Sequence, residues 1–141
     1  MANSTTLYVG SDGRTTVDVS ENKTLAAVDN GIVQNVISDA ITVTLPATAA
    51  NLCFTVRNGG VPASSSVGMG TGADFSALVK VAPNSADGIS GLAFTAATNK
   101  AAQNTKATAR VGDEITLIGS GTTGVTGWNV LRAKGTWARE G

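Results

Sequence analysis

The sequence predicts an all-β fold, a single β-sandwich or jelly-roll-like barrel, with an extended N-terminal arm over residues 1–22 and the sandwich domain over residues 23–141. Short runs of alternating apolar and polar residues recur about every ten to fifteen positions, separated by polar turns rich in glycine, asparagine and aspartate. No long amphipathic helical pattern interrupts them. With 17 glycines, only 14% charged residues and a preponderance of Thr, Val, Ala and Ser, the composition favours strands and turns over helices.

Thr5-Thr-Leu-Tyr-Val9 and Thr15-Thr-Val-Asp-Val19 are two β-prone runs split by the turn Gly10-Ser-Asp-Gly13. They fit an edge hairpin or an extended arm, and an arm of this length would reach about 65 Å. Lys23 to Val33 fits one helical turn ending on Gly31. Ile41-Thr-Val-Thr-Leu45 alternates strictly up to Pro46, and Leu52, Phe54 and Val56 repeat the pattern, so the two are expected as an antiparallel pair facing one core. The single cysteine, Cys53, lies in the second run and is expected as a small buried hydrophobe.

Val61 to Gly72 reads as a loop, Phe75 to Ala82 as a strand, and Pro83 to Gly88 as its turn; from Leu92 periodicity does not separate strand from short helix. Lys106 to Val111 is expected as a strand, Gly112-Asp113 as a tight turn, and Glu114 to Gly119 as the next strand. A glycine-threonine loop leads into the closing strand, which begins at Trp128.

At 141 residues the chain has room for one domain that buries roughly two thirds of its unfolded surface. Ten basic and ten acidic side chains cancel and are scattered singly, so no footprint for nucleic acid or an anionic membrane is present. No apolar run is long enough to span a bilayer, and the first residues lack the pattern of a secretory signal, so a soluble chain made in a cytoplasm is expected. Asn3-Ser4-Thr5 and Asn22-Lys23-Thr24 match the glycosylation pattern and are read as chance.

Catalytic chemistry has little to work with. Without histidine, Ser64, Ser65 and Ser66 lack their usual base, and one cysteine cannot build a closed zinc site. Asp113 and Glu114 are adjacent on an extended chain and so point to opposite faces. Asp12, Asp18, Asp29, Asp39, Asp74 and Asp87 mostly occupy turn positions where an aspartate caps its own backbone. Gly119-Ser-Gly-Thr-Thr-Gly124 has the letters of a dinucleotide loop but is followed by strand-like residues, leaving an anion no helix N-terminus to meet. The chain is therefore read as no enzyme, with no cofactor and no metal. Among the aromatics, Trp128 alternates with Val130 as a core residue, while Trp137 fits core or interface equally.

The order Lys-Thr-Leu-Ala-Ala-x-Asp-x-Gly at 23 to 31, Ile-Thr-Val-Thr-Leu-Pro-Ala at 41 to 47, Phe-Thr-Val at 54 to 56, Asp-Gly-Ile-x-Gly at 87 to 91, Val-Gly-Asp-x-Ile-x-Leu at 111 to 117 and Gly-Trp-x-Val at 127 to 130 resembles small structural proteins of tailed bacteriophages, especially capsid decoration (cement) proteins and related fibre domains. The resemblance extends over about residues 23 to 138 and rests on strand and turn patterns. It implies a homotrimer on the outer capsid surface of the virion that stabilises the head by bridging major capsid protein subunits. On that reading Leu7, Tyr8 and Val9 lie across an adjacent capsid or cement subunit by strand addition, and Trp137 is a further interface candidate. The alternatives are a tail fibre or baseplate domain and a carbohydrate-binding module using exposed aromatics. The loop Val61 to Gly72 is longer than the pattern needs.

Overall fold

A computed structural model describes residues 3–60, 79–91, 94–105 and 108–141. Two mixed sheets pack face to face, giving the all-β sandwich that the alternation predicts. The strands are β1 (Tyr8–Val9), β2 (Thr15–Val19), β3 (Lys23–Thr24), β4 (Val33–Val36), β5 (Ile41–Thr44), β6 (Cys53–Asn58), β7 (Val79–Ala82), β8 (Ile89–Ser90), β9 (Ala102–Asn104), β10 (Glu114–Gly119), β11 (Trp128–Lys134) and β12 (Ala138–Arg139). The larger sheet has the order β1-β2-β4-β6-β10-β11-β8 and the smaller β12-β9-β7-β5-β3.

From β2 to β7 the strands alternate between the sheets, and from β4 to β7 each lies parallel to the strand two before it: β4 on β2, β5 on β3, β6 on β4 and β7 on β5. The first half is thus a short coil of three stacked turns, while β9 to β12 add antiparallel partners along one side of it. This corrects the expected antiparallel pairing of Ile41–Leu45 with Leu52–Val56. Those runs belong to different sheets, and Pro46 to Asn51 carries the chain from one to the other. Both still face one core, since alternation fixes the face of a strand and not its neighbour.

The core lies between the sheets. Val19, Val36, Phe54, Val56, Ile115, Leu117 and Trp128 come from the large sheet and meet Ile41, Val43, Val79, Val81 and Ala102 of the small one. The Phe54 and Trp128 rings sit 5.6 Å apart at 43°, a tilted aromatic contact. Cys53 corrects a second expectation: Phe54 and Val56 point inward, so Cys53 lies on the opposite face and is only half-buried. Of the strand expected over 106–111, Lys106 and Ala107 lie outside the described residues, and Thr108 and Ala109 form a turn whose N–H groups both bond the Thr105 carbonyl, just after β9. The helical turn is a 3-10 helix at Ala27–Asp29, closed by Gly31 at φ +77°.

Residues 3–22 of the N-terminal segment follow one of its two readings. β1 and β2 form an antiparallel hairpin with Tyr8 opposite Thr16, and β2 is an interior strand with Val17 and Val19 buried. The segment is therefore the edge hairpin over residues 8–19, and the free extended arm is corrected. The loop Val61 to Gly72, Ser64 to Ser66, Asp74 and the first four residues of the run Phe75 to Ala82 lie outside the described residues.

The turn aspartates act on backbone as expected. Asp12, Asp29 and Asp39 accept bonds from the N–H groups of Arg14, Ala26 and Ala40. Asp87 goes further, holding two distant loops: buried, it accepts from Thr48 N at 2.9 Å and Gly124 N at 3.2 Å. Asp87→Ala would leave both donors without that acceptor, so we expect a loss of about 2 kcal/mol. Urea denaturation measures it, and a change within about 0.5 kcal/mol would show that Asp87 does not hold these loops.

Candidate functional site

Across the outer face of the large sheet Asp18, Asn35, Arg57 and Glu114 fall in one register row. Asn35 donates to Asp18 at 3.0 Å and accepts from Arg57 Nε at 3.0 Å. The β1–β2 turn folds onto this row. Arg14 pairs with Glu114 at 2.8 Å and with Asp12 at 2.7 Å, and Arg57 reaches Asp12 at 3.3 Å. Tyr8 closes the row by donating its hydroxyl to Asp18 at 2.6 Å. Ion pairs and the Tyr8 bond thus clip β1 and the turn, which bury no large apolar side chain of their own, to the sheet.

The Arg14 guanidinium, followed by the Arg14 backbone N–H, holds the Asp12 carboxyl below the usual carboxylate range, while Glu114 and then Asp12 raise Arg14. The bond to Asp18 and partial burial push the Tyr8 hydroxyl up. A lowered carboxylate contributes stability above its unfolded value, about 3.9, and loses it as pH falls through the folded value. The melting-temperature difference between the wild type and Asp12→Asn is therefore expected to be constant from neutral pH to about 5 and to shrink below about 4. Melting curves across that range test it; a difference that grows on acidification contradicts the clip.

Clipped in this way, β1 is the outer strand of the large sheet. Leu7 is 52% exposed, Tyr8 39% and Val9 71%, a contiguous apolar run on an open edge. Gly10 N bonds Arg14 O, so strand alternation directs the main-chain N–H and C=O of Leu7 and Val9 away from β2. The strand is short, Tyr8–Val9, and among the described residues of this edge no lysine, proline or bulge adds to that protection.

The fourth predicted interface residue is placed elsewhere. Trp137 is 9% exposed, belongs to the core cluster and donates Nε1 to Lys134 O at 2.9 Å. Of its two readings, core or interface, the burial favours the core, and the ring leaves little surface to a partner.

Beneath β1 is a notch of about 350 Å³ whose walls include Leu7, Val17, Val28 and Ile32. Lys23 and Asp29 also line it, paired at 3.5 Å, and Lys23 Nζ donates to Gln34 Oε1 at 2.7 Å. Its most exposed apolar wall residue, Val28 at 81%, escaped the sequence reading although a valine in the turn Ala-Ala-Val-Asp-Asn-Gly is the kind of misplaced apolar residue that marks a contact.

The other polar clusters are satisfied internally. Asn58, Asn104 and Asp113 are buried and bond one another in sequence, at 2.9 and 3.1 Å, with Asp113 also accepting from Arg110 N. The 119–124 loop joins β10 to β11 as a hairpin turn, with Ser120 Oγ bonded to Thr122 N and Gly127 O. Among the described residues no group of three or more His, Cys, Asp or Glu is placed to hold a metal ion. Nor is any described helix long and apolar enough to cross a membrane.

Comparisons with protein-family models, with curated proteins and with solved structures found no match to this chain.

Proposed function

We propose that this chain is a structural virion protein, a decoration subunit that sits on the outer surface of a phage head as a homotrimer and bridges major capsid protein subunits. The observation that carries the reading is the open, uncharged edge at Leu7, Tyr8 and Val9, held in place by ion pairs on the sheet behind it. An edge of this kind supports strand addition, in which main-chain bonds supply affinity and alternate side chains supply fit. Many such contacts repeated over a lattice add through multivalency, and a subunit that binds only the assembled shell stabilises it by mass action.

A sugar-binding reading needs exposed aromatic faces. Trp128 and Trp137 are both in the core, which leaves that reading only Tyr8 among the three aromatics it would use.

Removing the N-terminal residues as far as β2 would unfold the large sheet, so the test is a point change at the edge. Val9→Lys places a charge where a strand would pair, the device by which natural edges resist addition. We expect it to lower occupancy on purified capsids at least tenfold at subsaturating protein while leaving the melting temperature within about 2 °C. Co-sedimentation with capsids reads the occupancy, and undiminished binding would remove β1 from the contact.

A further inference from the structure

The two sheets end unevenly at the N-terminal side. β2 and β3 belong to the first turn of the coil, and the large sheet continues one strand further, to β1, while the small sheet stops at β3. The overhang is one strand wide, about 4.8 Å. The notch lies under it, lined by Leu7, Val17 and the chain's own Asn3 to Thr5 and bounded by β3 and the turn carrying Val28 and Ile32. Lys23 and Asp29 are paired and its other polar side chains carry no charge, so an occupant should be uncharged.

We propose that the notch is filled by β1 of a second copy of this chain, the two copies meeting as a lap joint. The place missing beside β3 is one strand wide, and the overhang that would fill it is one strand wide and at the same end of the molecule. Leu7-Tyr8-Val9 is uncharged, matching the neutral notch, and the chain's net charge of zero gives two copies no overall repulsion.

Main-chain chemistry agrees. Leu25 N bonds Thr44 O, so the alternation of β3 turns the Thr24 N–H and C=O away from β5, to the open edge of the small sheet. They meet the outward N–H and C=O of Leu7 or Val9 from the second copy. Leu7 of the incoming strand then covers Leu7 and Val17 of the receiving one. Each copy gives one overhang and receives one, so a closed ring of identical copies satisfies every edge. The proposal rests on the reading of β1 as a contact strand and names its neighbour; it does not depend on where in a virion the contact is made.

The test is the mass of the full chain in solution over a range of concentrations, by sedimentation equilibrium, for the wild type, Leu7→Asp, Val28→Asp and, as a control, Leu131→Asp. Leu131 is exposed to the same extent as Leu7, at 52%, but lies on β11 away from the notch. All three side chains are exposed in the single chain, and circular dichroism confirms folding of each variant.

The wild type is expected to associate, with Leu7→Asp and Val28→Asp each raising the dissociation constant about a hundredfold and Leu131→Asp leaving it unchanged. A wild type that stays monomeric at high micromolar concentration overturns the lap joint. So does association that survives both notch variants, or that fails only in the Leu131 variant. A chain that is monomeric in solution yet coats capsids would overturn this inference alone; one that associates through the notch and leaves capsids bare would overturn the capsid reading and not this one.

Discussion

Trp128→Ala is expected to lower the free energy of unfolding by about 3–5 kcal/mol, the range for removing a large aromatic from a packed interior. Trp128 is fully buried, packs on Phe54 and begins the strand that completes the large sheet beside β10. Its Nε1 has no acceptor among the described residues, so the indole acts through volume and ring contact and not through a hydrogen bond. Trp128→Phe, which keeps a ring and removes an unpaired donor, is therefore expected to cost less than half as much. Urea denaturation of the two variants compares them. Equal losses would mean that the indole N–H is paired after all and that this account of the core is wrong.

Gly135→Ala is expected to cost about 3 kcal/mol or more, for two reasons that act together. Gly135 has φ +91°, a conformation that side chains rarely adopt, and a Cβ there would collide with the Asp113 carboxylate. Displacing that carboxylate breaks its bonds to Asn104 Nδ2 and Arg110 N, inside a buried polar cluster with little access to water. The two changes share a site, so they should not add. In an Asp113→Ala background the steric part disappears, and Gly135→Ala should cost at least 1 kcal/mol less than in the wild type. A double-mutant cycle in urea measures the coupling, and strict additivity would contradict it.

Much of the fold was legible because alternation reports burial directly. Ile41, Val43 and Leu45, and again Ile115 and Leu117, are buried as their period of two requires. The same rule places Cys53 outward between inward-facing neighbours, and reading it from the general habit of cysteine gave the wrong side. Strand neighbours were less legible. Nothing in Ile41–Leu45 or Leu52–Val56 says whether the turn between them closes a hairpin or crosses the core, and it crosses.

Of the interface candidates, Leu7, Tyr8 and Val9 were readable as an apolar run beside a glycine turn, and they are exposed. Trp137 lay outside any periodic run, so its burial depended on packing that local pattern does not carry. The notch was invisible for a similar reason. It exists because one sheet outruns the other, a relation between β1 and β3 that appears only once the coil is assembled.

The central proposal is that this chain works on the outside of a phage head, in contact with the capsid shell. Electron cryomicroscopy of tailed-phage virions assembled with and without this chain tests this most directly. The account predicts difference density repeated over the outer face of the capsid at its local three-fold positions, with β1 at a contact. Density confined to the tail, or identical heads with and without the protein, would contradict it.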